Sequence, residues 1–98
     1  MPLSLREQYD FDSLVNEAER LVIEEISRQL PRNPDLCTCE ECVLDVAAYA
    51  LNHVTPRYRA SLLGSIYAAR ESGSGYQREV SRAVSEAIRR IRANPAHD

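Results

Sequence analysis

Nine consecutive residues, Val43 to Leu51, are apolar at every position except Asp45, so a helix built from them is apolar on nearly every side. Such a helix sits in the middle of a domain or is shared between subunits. The chain has 98 residues with which to cover it, and a chain of that size buries only about 60 to 65% of its unfolded surface. One Phe and no Trp leave the core light. A staple, a metal or a second copy of the chain is therefore expected to add stability. Asn52, His53 and the Thr55-Pro56 pair mark the end of the helix.

Two amphipathic segments flank it. In the first, Leu14, Val15, Ala18, Leu21, Val22, Ile26 and Leu30 recur with the 3.6-residue period, Asp12 or Ser13 can cap the start, and Glu17, Glu24, Glu25 and Arg28 form the outer face. Pro31 and Asn33-Pro34 stop it. In the last, Val80, Val84, Ala87 and Ile91 repeat with Ala83 and Ile88 alongside, until Asn94-Pro95. There Glu86 stands four residues from both Arg82 and Arg90, which predicts a solvated, paired face. Residues 57–71 carry a mixed signal, either a helix broken near Gly64 or an extended stretch before a helix, and Ser72 to Gly75 read as a flexible connector. The expectation is one mainly α domain over residues 1–98, with principal helices near 12–30, 40–53 and 76–92 and loose ends at 1–10 and 94–98. The all-round apolar helix and the seam of the last one point to a homodimer.

No apolar run reaches the roughly 20 residues of a membrane helix, and the N-terminus lacks the plan of a signal peptide. A soluble, cytoplasmic protein without membrane contact is expected. All twelve basic residues are arginine. Residues 1–50 hold four arginines against eleven carboxylates, whereas residues 51–98 hold eight against four. The acidic first half opposes direct DNA binding, although the second half can offer a local cationic surface. No Ser-His-Asp set stands in a recognised motif, and Ser72 to Tyr76 lack the lysine of a phosphate-binding loop, so an enzyme is not expected.

Cys37, Cys39 and Cys42 place three thiols within six residues. An odd count excludes a fully paired set of disulfides within the chain. Thiolates converging at a helix start suit zinc, and the helix N-terminus favours their charge. A redox-sensing cluster and plain buried cysteines are the alternatives. A fourth ligand has to come from His53, Asp35, Glu40, His97, water or a partner chain. His53 is the poorest of these, since eleven residues of helix carry it about 16 Å away.

The run from Cys37 to Tyr58 resembles the signature of the late competence protein ComFB family in Cys37, Cys39, Cys42, Asp45, Val46, Leu51, Asn52, Pro56 and Tyr58. The resemblance implies a small, mostly helical, dimeric, non-enzymatic protein. It also implies zinc held by cysteines and, by likeness to cyanobacterial relatives, a receptor for cyclic di-GMP. Some members carry a further cysteine near the C-terminus, which this chain lacks.

A cyclic dinucleotide needs guanidinium forks for its phosphates and guanine edges, and flat side chains for its bases. Arg57, Tyr58, Arg59, Tyr67, Arg70 and Arg78 are the candidates, since basic and aromatic residues interleave there. The plain alternative is that the tyrosines pack at the core edge and the arginines face water. The competing function is a zinc-stabilised protein interaction module associated with competence or DNA uptake, without nucleotide binding. Either way a downstream protein partner is expected.

Overall fold

The computed structural model describes residues 2–60 and 74–95. The chain opens with a single helical turn, α1 (Leu5–Gln8), closed by a capping box between Ser4 and Glu7. A 3-10 turn over Phe11–Ser13 follows, capped by the Asp10 side chain. Then come β1 (Val15–Asn16), α2 (Glu17–Gln29), α3 (Glu40–Leu51), β2 (Tyr58–Arg59) and α4 (Ser74–Ala93). The mainly helical architecture expected from the sequence is present. Among the described residues no helix is long and apolar enough to cross a membrane.

The first principal helix begins later than its apolar period predicts. Leu14 and Val15 continue the 3.6-residue pattern, yet β1 pairs antiparallel with β2, Val15 opposite Arg59 and Asn16 opposite Tyr58. Asn16 decides the boundary. Its Oδ1 accepts from the Ala18 amide at 3.2 Å, capping α2, and from the Arg57 amide at 2.8 Å, fixing β2 beside it. The caps are thus Asp10 and Asn16 rather than Asp12 or Ser13. At the other end, Pro31 enters a 3-10 turn over Leu30–Arg32, and the Asn33 side-chain amide donates to the Gln29 carbonyl at 2.9 Å.

The core lies where α4 crosses α3 and α2. Ala18, Val22 and Ile26 of α2 meet Val46 and Ala50 of α3 and Val80, Val84, Ala87 and Ile88 of α4. Each large side chain fully buried there contributes about 1.5 to 3 kcal/mol. Of the two sequence features that pointed to a second copy, the seam of α4 is used within the chain and the apolar surface of α3 only in part. The seam of α4 faces its own core, and α3 buries Cys42, Val46 and Ala50 while Leu44 stays 60% exposed.

Two expectations about polar segments change. Glu25, read as part of the outer face of α2, is buried, because it and Gln29 make a polar link to α4. Gln29 Nε2 donates to Glu25 Oε2 at 2.7 Å and to the Ser81 carbonyl at 3.1 Å, and the Ser85 hydroxyl donates to Gln29 Oε1 at 2.9 Å. Of the expected Ser72 to Gly75 connector, Ser74 and Gly75 belong to α4, and Ser72 and Gly73 lie outside the described residues. Of the mixed segment, Tyr58–Arg59 is extended.

Candidate functional site

Cys39 occupies the N-cap position of α3 in extended backbone, and its Sγ accepts from the Cys42 amide at 3.5 Å. The Cys-x-x-Cys spacing is therefore the spacing of an N-cap and the third helical residue, with sulfur in the place of the usual oxygen. Cys37 in the preceding loop completes the cluster, and the three Sγ atoms lie within 4.8 Å of one another. Their exposure is graded. Cys42 is buried in the core, Cys37 is half-buried and Cys39 faces solvent. A shallow recess of about 450 Å³ beside them is lined by Cys37, Cys39, Glu40 and Glu41.

The second cluster joins β2 to α4. The Arg57 guanidinium lies 4.2 Å over the ring of Tyr76, whose hydroxyl donates to the Thr55 carbonyl at 2.7 Å. The Thr55 amide in turn donates to Glu79. Burial raises the Tyr76 hydroxyl above its ordinary pKa, and the Arg57 charge offsets this in part. Arg59 donates from Nε to Glu17 at 3.2 Å. Tyr58, between two half-buried arginines, is 63% exposed and lines a different recess with Leu14, Val15, Ile23 and Leu51.

A third feature runs along α4. Residues 78, 82 and 89 fall on one face of the helix and, with His53, line a groove of about 870 Å³. The His53 ring is stacked on Tyr49 at 4.2 Å between centroids, and its Nδ1 lies 2.7 Å from the Tyr49 carbonyl. Glu86 is held by Arg89 and Arg90, whose hydrogen bonds pull its carboxyl down to about 2. The Arg82–Glu86 pair that the spacing suggests is not formed, and among the described residues Arg78 and Arg82 make no ion pair.

The family model for the late competence development protein ComFB matches residues 15–95. The chain belongs to the ComFB family. Its structure is similar to that of the late competence protein ComFB from Bacillus subtilis, with a TM-score of 0.70 and 25% identity, over 85% of this chain and 92% of that one. No curated protein matches the chain.

For a ComFB chain the thiol cluster has to be tested against zinc. Zinc–sulfur bonds of about 2.3 Å in a tetrahedron place sulfurs about 3.8 Å apart. Thiols already within 4.8 Å of one another need only small side-chain rotations to reach that spacing. The donor set fits: Cys37, Cys39 and Cys42 can supply three thiolates. Among the fourth-ligand candidates, Asp35 is drawn to Arg92 at 3.5 Å, and His53 sits at the far end of α3 against Tyr49. Glu40 lies at the recess, and Glu41, which the sequence did not single out, lies there too. His97 falls outside the described residues.

The four nucleotide candidates among the described residues do not share one surface. Arg57 is stacked on Tyr76, Arg59 is tied to Glu17, Tyr58 lines the apolar recess, and Arg78 lines the α4 groove. Tyr67 and Arg70 lie outside the described residues. Sequence reasoning read Arg82 and Arg89 as part of a solvated face and left them out of the nucleotide candidates. Their spacing of four and eleven residues from Arg78 was the available signal, since it keeps all three on one helical face.

Proposed function

We propose that this chain is a dimeric, non-enzymatic regulatory protein of the ComFB type that binds cyclic di-GMP in the groove along α4. It acts in the cytoplasm by passing the signal to a downstream protein. The observation that carries this reading is the groove itself, about 870 Å³ with Arg78 and Arg82 exposed on its wall and without ion pairs among the described residues. Two arginines four residues apart on one helix repel each other when nothing lies between them. A phosphate removes that cost, and the planar guanidinium fork matches phosphate oxygens and guanine edges, which an ammonium does not. His53, held flat against Tyr49, adds an aromatic surface at the groove on which a guanine can stack.

A second copy suits the outer side of α2. Leu14, Val15, Ile23 and Tyr58 are exposed around a recess of about 850 Å³ that also carries Arg20 between Glu19 and Glu24. A patch bearing both signs beside apolar groups can meet itself across a two-fold axis. Zinc on Cys37, Cys39 and Cys42 would tie the loop after Pro34 to α3. The same apolar recess favours the second reading, a zinc-stabilised interaction module serving competence or DNA uptake without a nucleotide.

Titration calorimetry with cyclic di-GMP, and with cyclic di-AMP and GTP as controls, tests the first reading. Selective binding at micromolar concentration or tighter upholds it. The lack of heat with every nucleotide would overturn it in favour of the interaction module. Light scattering that shows only an 11.1 kDa species would overturn the dimer.

A further inference from the structure

Beside the groove, on the other flank of Arg78, is a separate recess of about 420 Å³ between the end of α2 and the first turns of α4. Glu25, Arg28, Arg32, Gln77, Arg78 and Ser81 line it. Three guanidiniums from three different segments therefore face one small space, in a chain whose first half is strongly acidic. The one carboxylate among them is already engaged. Glu25 takes Arg28 Nη1 at 3.2 Å and Gln29 Nε2 at 2.7 Å, so it anchors Arg28 at the rim and leaves the recess with an excess of positive charge. Arg32 and Arg78 make no ion pair among the described residues. Arg32 follows Arg28 by four residues across the 3-10 turn that ends α2, so the two guanidiniums reach the recess from different segments.

We infer that this recess is a phosphate-binding site, and that it takes a phosphodiester of the cyclic dinucleotide whose base lies in the α4 groove. The inference rests on the nucleotide reading above and deepens it, because Arg78 lines both spaces and can bridge them. Arg32 and Arg78 supply forks whose hydrogen bonds to phosphate oxygens are charge-assisted. Gln77 and Ser81 add neutral donors, which strengthen binding without demanding a particular charge on the ligand. Arg28 is the positioning member, since its charge is shared with Glu25. The sequence reading placed Arg28 on the outer face of the first helix and did not connect it or Arg32 with Arg78, because the two lie 46 or more residues before Arg78 and only packing of α2 on α4 brings them near it.

Arg32 is exposed, so its removal leaves the fold intact and makes it the residue to test. Calorimetry is run with cyclic di-GMP and separately with pyrophosphate, on the wild-type chain, Arg32→Ala, Arg32→Lys and the remote Arg6→Ala. The expected result is that Arg32→Ala weakens cyclic di-GMP binding about 10- to 100-fold, the worth of one charge-assisted contact, with Arg32→Lys intermediate and Arg6→Ala unchanged. If wild type binds cyclic di-GMP and Arg32→Ala binds equally well, the recess is not the phosphate site, although the nucleotide reading stands. If wild type does not bind cyclic di-GMP, the nucleotide reading fails and pyrophosphate decides the recess. Pyrophosphate binding that Arg32→Ala abolishes upholds a phosphate site for another ligand, and no pyrophosphate binding overturns it.

Discussion

The guanidinium of Arg57 rests 4.2 Å above the ring of Tyr76, locking the short strand after Pro56 onto the start of α4. Tyr76 is buried and its hydroxyl reaches the Thr55 carbonyl, so one aromatic ring ties together the strand, the loop before it and the helix. Arg57→Ala should therefore act on stability, lowering the free energy of unfolding by about 0.5 to 2 kcal/mol, the range of a cation–π contact. Tyr76→Phe, which removes only the hydroxyl bond, should cost about 1 kcal/mol. Urea denaturation of both variants measures this. An Arg57→Ala midpoint equal to wild type would show that the stacked arginine contributes nothing to the fold.

Gln29 plays the equivalent role between α2 and α4. Its amide serves Glu25, the Ser81 carbonyl and the Ser85 hydroxyl at once, so its loss leaves a buried carboxylate with one fewer donor and a hydroxyl without its acceptor. Gln29→Ala should destabilise by about 1 to 3 kcal/mol, whereas Ser85→Ala, at an exposed residue, should cost less. Chemical denaturation of the two side by side checks the order.

The helical architecture was legible because apolar period and proline punctuation act locally. Val80, Val84 and Ala87 face the core as their spacing predicts, and α3 ends at Leu51, two residues short of the predicted limit. The start of α2 was not legible. Leu14 and Val15 satisfy the helical period, and what delays the helix is the pairing of Val15 and Asn16 with Arg59 and Tyr58, more than forty residues away. The burial of Glu25 has the same origin, since its partner Gln29 is fixed by Ser81 and Ser85 on another helix. For the candidate site, the thiol cluster was legible as a spacing because Cys39 and Cys42 meet within one helical turn. The arginine recess was not, because its members come from α2, the turn after it and α4.

The three cysteines should respond differently to substitution. Cys39 is exposed at an N-cap position, where serine caps a helix well, so without metal Cys39→Ser should change stability by less than about 1 kcal/mol. Cys42 is fully buried, and Cys42→Ser places a hydroxyl in the core, which should cost about 1 to 3 kcal/mol with or without metal. If the cluster holds zinc, wild type should melt higher with zinc than after chelator treatment, and both variants should lose that rise. Thermal melts with zinc and with chelator separate the effects. Equal zinc-dependent stabilisation in wild type and Cys39→Ser would remove Cys39 from the ligand set.

Acid should weaken the fold through two carboxylates. Burial alone would raise the pKa of Glu17, but hydrogen bonds and charges from Arg20 and Arg59 outweigh it and hold the carboxyl below its ordinary 4.5. Glu86 is pulled down to about 2 by Arg89 and Arg90. In both cases the folded pKa lies below the unfolded one, so the unfolded chain takes up protons first as pH falls. Their stabilisation is therefore complete above about 4.5 and declines below it, for Glu86 down to about 2. Glu86 is partly exposed and salt screens its pairs, so Glu17, which links α2 to β2 through Arg59, should dominate. Glu17→Gln should lower the melting temperature at neutral pH and flatten its fall in acid, so that variant and wild type converge as the pH drops below about 4. Melts across that range are the measurement, and a constant gap between the two proteins would show that the Glu17 charge does not stabilise the fold.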